Sequence, residues 1–132
     1  MRAAITFFLG LAILGTLLFA ITPRIGHSHY ARRTAAKADI CGGIKTALDA
    51  FKADTGTYPE GSNGLLELVQ HPNGTTNWHG PYFDPPKWPV DPWGHRYIYE
   101  YPGKHNTNGY DLFSAGPDGK AGTDDDIGNW MN

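Results

Sequence analysis

From Ala3 to Ile21 the chain carries no charged side chain, and only Thr6 and Thr16 are polar. As an α-helix this run spans about 28 Å, close to the roughly 30 Å hydrocarbon core of a bilayer. It can cross a membrane. The rival reading is a cleaved secretory signal with Arg2 as its basic flank. No Ala-x-Ala-like site follows promptly and the apolar run is long, so a retained anchor is favoured. The chain therefore divides into an anchor over 1–23 and a globular domain over 24–132. By the positive-inside rule, Arg24, Arg32, Arg33 and Lys37 would hold the flank after the anchor in the cytoplasm.

Pro23 can bend or interrupt the helix, and helical character resumes at once in 31–40. Ala36, Ile40, Ile44, Ala47 and Phe51, with Leu48 beside them, recur at spacings of three and four and predict one buried stripe. Gly42-Gly43 weaken the helix; close packing against another backbone would be the functional reason to keep them, and simple tolerance is the alternative. Cys41 is the single cysteine, so no internal disulfide can form; on this helix it reads as a buried, inert thiol. Gly56 is the natural left-handed cap.

With Gly 17 and Pro 10, clustered after Gly56, the rest of the chain is turn-rich. A short helix is expected from a Ser62 cap through Leu65 to Val69. Trp78, Tyr82, Phe83 and Trp88, in a long loop, must fold back onto the core. Asp91-Pro92-Trp93-Gly94 reads as a tight turn. Alternation in 96–101 and in 110–113 predicts antiparallel strands. The expected architecture is α+β, a long helix covered by a small sheet.

Between Phe113 and Trp130 the pattern changes. Asp118, Asp124, Asp125 and Asp126 fall within nine residues among glycines and a proline, too punctuated for a helix or strand to run through. Such a loop suits a hard cation, Ca2+ above all, because glycines let carbonyl oxygens converge beside carboxylates. The spacing is not that of an EF-hand. A solvated acidic tail is the alternative, opposed by the apolar residues at both ends of the loop, Leu112-Phe113 and Ile127 with Trp130.

The net charge of -2 argues against a nucleic-acid partner. Ser114 is not in a Gly-x-Ser-x-Gly elbow, and His27 and His29 would point to different faces of a helix. A hydrolase using the acidic loop with His105 is the weakest reading, so the chain is not expected to be an enzyme.

Together, Asp54-Thr-Gly-Thr-Tyr-Pro59, Trp78-His-Gly-Pro-Tyr82, Asp91-Pro-Trp-Gly94, Ser114-Ala-Gly-Pro-Asp-Gly119 and Asp125-Asp-Ile-Gly-Asn-Trp130 closely resemble the major pseudopilins of bacterial type II secretion systems. The resemblance covers roughly 38–130, and Leu14-Gly15 and Pro23 extend it into the anchor. It implies a type IV pilin-like fold with a calcium-binding C-terminal loop. It also implies a single-pass inner-membrane protein with its globular domain in the periplasm, against the charge rule above. Such a subunit would self-associate into a filament with other pseudopilins and an inner-membrane assembly platform, driving export of folded proteins. Carried over residue by residue, the calcium ligands would be Asp118, Asp125 and Asp126, with oxygens from Ala115, Lys120 and Thr123; Asp124 would be a solvated neighbour. The departures are at the amino terminus, where Arg2 would replace a phenylalanine at the mature start and Thr6 falls at a usually acidic position. The alternative is a membrane-anchored adaptor or minor tip subunit that does not polymerise.

Overall fold

The computed structural model describes residues 28–132. The anchor expected over 1–23 lies outside them. Among the described residues no helix is long and apolar enough to cross a membrane. The chain divides into two units, Met1–Arg32 and Arg33–Asn132.

Helix occupies 28–38 (α1), widens into a π turn at Asp39–Gly43, and resumes as α2, Ile44–Thr55. The predicted stripe is buried at every position: Ala36, Ile40, Ile44, Ala47, Leu48 and Phe51 are each at most 2% exposed. Its first two steps are fours, and at 3.6 residues per turn a step of four overshoots by about 40°. Ala36, Ile40 and Ile44 would then walk off the buried face. The π turn, closed by the Ile44 amide on the Asp39 carbonyl, holds more residues per revolution and cancels that drift.

Two expectations for this segment are corrected. Cys41 is exposed, because with Ile40 and Ile44 turned inward it faces out. A side chain at Gly42 would meet nothing within 4 Å, and one at Gly43 would meet the Phe83 ring at 3.9 Å, so neither glycine serves a close backbone approach among the described residues. Gly56 caps α2 as expected, its amide donating to the Lys52 carbonyl at 2.8 Å.

Tyrosines cover the acids of this helix. The Tyr97 hydroxyl donates to Asp39 at 2.7 Å, Tyr58 to Asp49 at 3.1 Å and Tyr82 to Asp54 at 2.7 Å. Each buries a large apolar ring while giving its polar tip an acceptor. Burial first, and the carboxylate partner second, push the Tyr97 phenol up, so it stays a donor across the physiological range.

The short helix is a 3-10 segment, Gly64–Leu68, preceded by Asn63 rather than capped by Ser62, with no side-chain cap bond. Tight turns replace an α-helix here because Leu65 and Leu68 must both point into the core, three residues apart, where 3-10 geometry eclipses them. Gly64 lies under Tyr99: a Cβ there would sit 2.5 Å from that ring and 3.0 Å from Pro59. Tyr99 cannot retreat, since it is 1% exposed and its hydroxyl donates to the Pro59 carbonyl at 2.8 Å. Gly64→Ala is expected to cost about 2 kcal/mol through overpacking, read as a lower melting temperature.

Three strands form the sheet, β1 (Ile98–Glu100), β2 (Asp111–Ser114) and β3 (Ile127–Gly128), in the order β1-β2-β3, all antiparallel. Tyr99 pairs with Leu112 and both are buried toward the helix. The first strand is shorter than the alternation in 96–101 suggested; beyond it only Val90 and Arg96 form an isolated bridge. β3 was not expected, because its two residues lie inside a segment that reads as loop. Trp78, Tyr82, Phe83 and Trp88 fold back on the core as predicted.

Candidate metal site

The acidic segment is seated from below by the Asp91 turn. Gly94 closes that turn on the Asp91 carbonyl at 2.9 Å, and Asp91 Oδ1 accepts the amides of Trp93 and His95 at 3.0 and 2.9 Å. Its other oxygen accepts the Ser114 hydroxyl at 2.6 Å, and both residues are buried. Ser114 Oγ in turn accepts the Gly116 amide at 3.0 Å. The Asp-Pro-Trp-Gly and Ser-Ala-Gly-Pro-Asp-Gly motifs are thus joined by one buried hydrogen bond. Sequence reading tested Ser114 only as a nucleophile and missed this role.

Above Gly116 the loop turns on its own carboxylates. Asp118 Oδ1 accepts the Lys120 amide at 2.9 Å, Asp125 Oδ2 the Asp118 amide at 3.1 Å, and Asp126 Oδ2 the Gly122 amide at 2.8 Å. The Thr123 hydroxyl donates to the Lys120 carbonyl at 3.1 Å and also to Asp125 Oδ1. That hydroxyl, followed by the Asp118 amide, holds the Asp125 carboxyl below the usual carboxylate range. Gly116, at φ +64, has its backbone against Asp125: a Cβ would sit 2.4 Å from the Asp125 carbonyl oxygen. Asp126 is buried, and its Oδ1 has no hydrogen-bond partner. Asp124 is exposed, and Ala115 is buried at the entry of the loop.

Both ends of the loop are fastened to the sheet. Asn129 extends the β2–β3 pairing, its amide donating to the Leu112 carbonyl at 3.0 Å while its side chain accepts the Leu112 amide at 3.1 Å and donates to the Tyr110 carbonyl at 2.9 Å. Trp130 stacks on His105 at 3.9 Å between ring centroids. Asp111, another residue that sequence reading passed over, is buried on β2 and accepts the successive amides of Lys104, His105 and Asn106 at 2.8, 2.8 and 2.9 Å. The His105 ring also lies 3.0 Å from Asp111. His105 is therefore committed to Asp111 and Trp130, away from the acidic loop's carboxylates. Two helix cations reach the loop's far side: Arg33 donates to the Asp125 carbonyl at 3.3 Å, and Lys37 to the carbonyls of Gly128, at 3.1 Å, and Met131.

A family model for protein G of the type II secretion system matches residues 24–130. The chain belongs to the protein G family. Among relatives of this family, it is 42% identical over 127 residues to the type II secretion system core protein G of Pseudomonas aeruginosa, covering 91% of this chain and 87% of that protein. It is 39% identical over 126 residues to that of Escherichia coli K12, covering 91% and 83%. A crystal structure of the major pseudopilin of enterohaemorrhagic Escherichia coli superposes with a TM-score of 0.67 at 32% identity, covering 80% of this chain and 88% of that one. The pilin-like α+β fold, with a helix packed on a small antiparallel sheet, is thereby established. Protein G is a structural subunit and not an enzyme.

The donor set has one gap and one open atom. Among the described residues, no three His, Cys, Asp or Glu side chains are arranged to hold a metal ion. Any cation in this protein G loop therefore needs neutral carbonyl oxygens to complete its shell, as hard divalent ions accept. The open atom is Asp126 Oδ1, since a buried carboxylate oxygen without a partner costs about 1–3 kcal/mol or more. A cation beside it would remove that penalty.

Proposed function

We propose that this chain is the major pseudopilin of a type II secretion system. In this reading it is held in the inner membrane by a single helix over 1–23 and carries its globular domain in the periplasm. Copies polymerise, with other pseudopilins and an inner-membrane assembly platform, into a filament that drives folded proteins across the outer membrane. The observation that carries this reading is the family match over residues 24–130 together with the superposition, over 80% of this chain, on a major pseudopilin. Co-expression with the cognate assembly machinery should yield filaments containing this chain. Their absence despite a folded domain would overturn the reading.

The loop is the proposed seat of one structural Ca2+. Asp118, Asp125 and Asp126, drawn together as the ion binds, would supply carboxylate oxygens, and Ala115, Lys120 and Thr123 neutral ones. The unpartnered, buried Asp126 Oδ1 supports this assignment. Bound calcium would neutralise the crowded charge and tie the two ends of the loop together. At a free concentration a hundred times the dissociation constant, one such site adds about 2.7 kcal/mol. Matched melting curves in Ca2+ and in EGTA should then differ by about 10 °C or more. Coincident curves, together with no heat of binding in calorimetry, would remove calcium from the account.

A further inference from the structure

Arg33 and Lys37 are one helical turn apart, and both spend their charge on backbone carbonyls of one short segment: Asp125 for Arg33, Gly128 and Met131 for Lys37. Beside these bonds lies a cavity of about 310 Å³ lined by Arg33, Thr34, Lys37, Ile127, Met131 and Asn132. Polar bridges thus hold the segment to the helix beside the core contact of Ile127. The Arg33 bond lands on the one peptide unit that joins two candidate ligands. That unit's carbonyl, from Asp125, accepts from Arg33 and lies close to Gly116, and its N–H, from Asp126, donates to the Thr123 carbonyl at 3.2 Å. Its plane is fixed at both edges, and with it the directions in which the Asp125 and Asp126 side chains leave the backbone.

We infer that Arg33 and Lys37 form a cationic clamp that positions Asp125 and Asp126 for a divalent cation. Through it, occupancy of the loop and order of the helix at 33–37 are coupled. The inference rests on the calcium reading of the loop. Coupling is reciprocal: if the clamp tightens ion binding, the bound ion strengthens the clamp by the same factor.

The sign of the effect separates this role from plain electrostatics. Two positive charges near a cation site repel the ion, so their removal, by Coulomb's law alone, should tighten binding. Positioning predicts the opposite. Titration of the full chain with Ca2+ is expected to show about fivefold weaker binding in Arg33→Gln with Lys37→Gln. Arg33→Lys with Lys37→Arg, which keeps charge and donors, should recover most of the loss. Amide hydrogen exchange should report the same coupling independently of affinity: Ca2+ slows exchange at 33–37 in the unaltered chain and not in the double Gln variant. A cooperative melting transition in EGTA would show that the variant is folded, and the expected results then support the clamp. Equal or tighter calcium binding in the folded Gln variant overturns the clamp while leaving the calcium site standing. No calcium binding by the unaltered chain overturns the calcium reading, and the positioning role falls with it. If the double Gln variant does not fold, the single Arg33→Gln variant serves in its place, and unchanged affinity there together with the same Ca2+-dependent slowing of exchange at 33–37 overturns the clamp.

Discussion

Asp111→Ala will lower the stability of the globular unit by about 3 kcal/mol or more, a fall in melting temperature of roughly 10–20 °C. The carboxylate is buried and collects three successive backbone amides, those of Lys104, His105 and Asn106, as well as the Asn106 side chain at 3.2 Å. Successive amides aimed at one anion form a concave donor nest. Removing the anion leaves those donors facing an apolar methyl. A melting temperature within 3 °C of the unaltered chain, on the order of 0.5 kcal/mol, would show that the 103–109 loop does not depend on this acid.

The same residue sets a pH dependence. Burial pushes the Asp111 carboxyl up, but the amides of His105 and Asn106, the His105 ring and the Lys104 amide outweigh it and hold it below its ordinary 3.8. A carboxyl lowered in the folded state contributes stability that is fully present above 3.8 and is lost as pH falls through the folded value. The stability gap between the unaltered chain and Asp111→Asn is therefore expected to shrink as the pH falls below about 4. Denaturant melts at a series of pH values measure it, and a gap unchanged down to pH 2 would sink the assignment.

The second large effect is expected at Gly116. Its φ of +64 is a conformation that a side chain makes strained, and an added Cβ would lie 2.4 Å from the Asp125 carbonyl oxygen, 2.9 Å from Asp125 Oδ2. The neighbour is backbone and cannot rotate aside. Gly116→Ala should cost about 3 kcal/mol from the two causes together. It should also abolish calcium binding, because relief of the clash must move Asp125. Differential scanning calorimetry with and without Ca2+ checks both parts. A variant that melts lower yet keeps its calcium-dependent gain would separate backbone strain from ligand placement.

The helix stripe was legible because burial imposes a period, and Ala36, Ile40, Ile44, Ala47, Leu48 and Phe51 obey it. What the period could not reveal was the π turn, since steps of four fit an α-helix loosely and a wider turn well. The Asp91 turn and the Gly56 cap were legible because proline and glycine restrict the backbone locally. By contrast, the pairing of Ser114 with Asp91 and the partners of Arg33 and Lys37 are set by tertiary approach across long stretches of chain, and no local pattern encodes them. Asp111 did leave a trace: a lone acid in the apolar run Tyr110–Phe113, eight residues after Gly103, must find donors if it is buried. Cys41 was misjudged because thiols are buried on average, whereas its neighbours on the π turn take the inward positions. At the acidic loop, composition pointed to a cation and the resemblance supplied its ligands. The exposed Asp124 and the buried Asp126 are separated only by how β3 begins at Ile127.

The π turn has a consequence for how such a chain tolerates change in length. A wide turn is a place where the helix stores one surplus residue, so it works as an indexing notch between the segment carrying Arg33 and the segment packed under the sheet. Deleting one residue within Asp39–Gly43 would let the notch close into ordinary helix with little net rotation, because four α-helical steps turn through about the same angle as five wider ones. Ile44, Ala47 and Leu48 would keep their seats. Ala36 would stay on the buried face, and the two cations would stay on the side of the carbonyls they now hold. A deletion in a stretch of plain α-helix draws on no such surplus and would turn one side against the other by about 100°, which makes these five residues the described stretch of the helix best able to lose one.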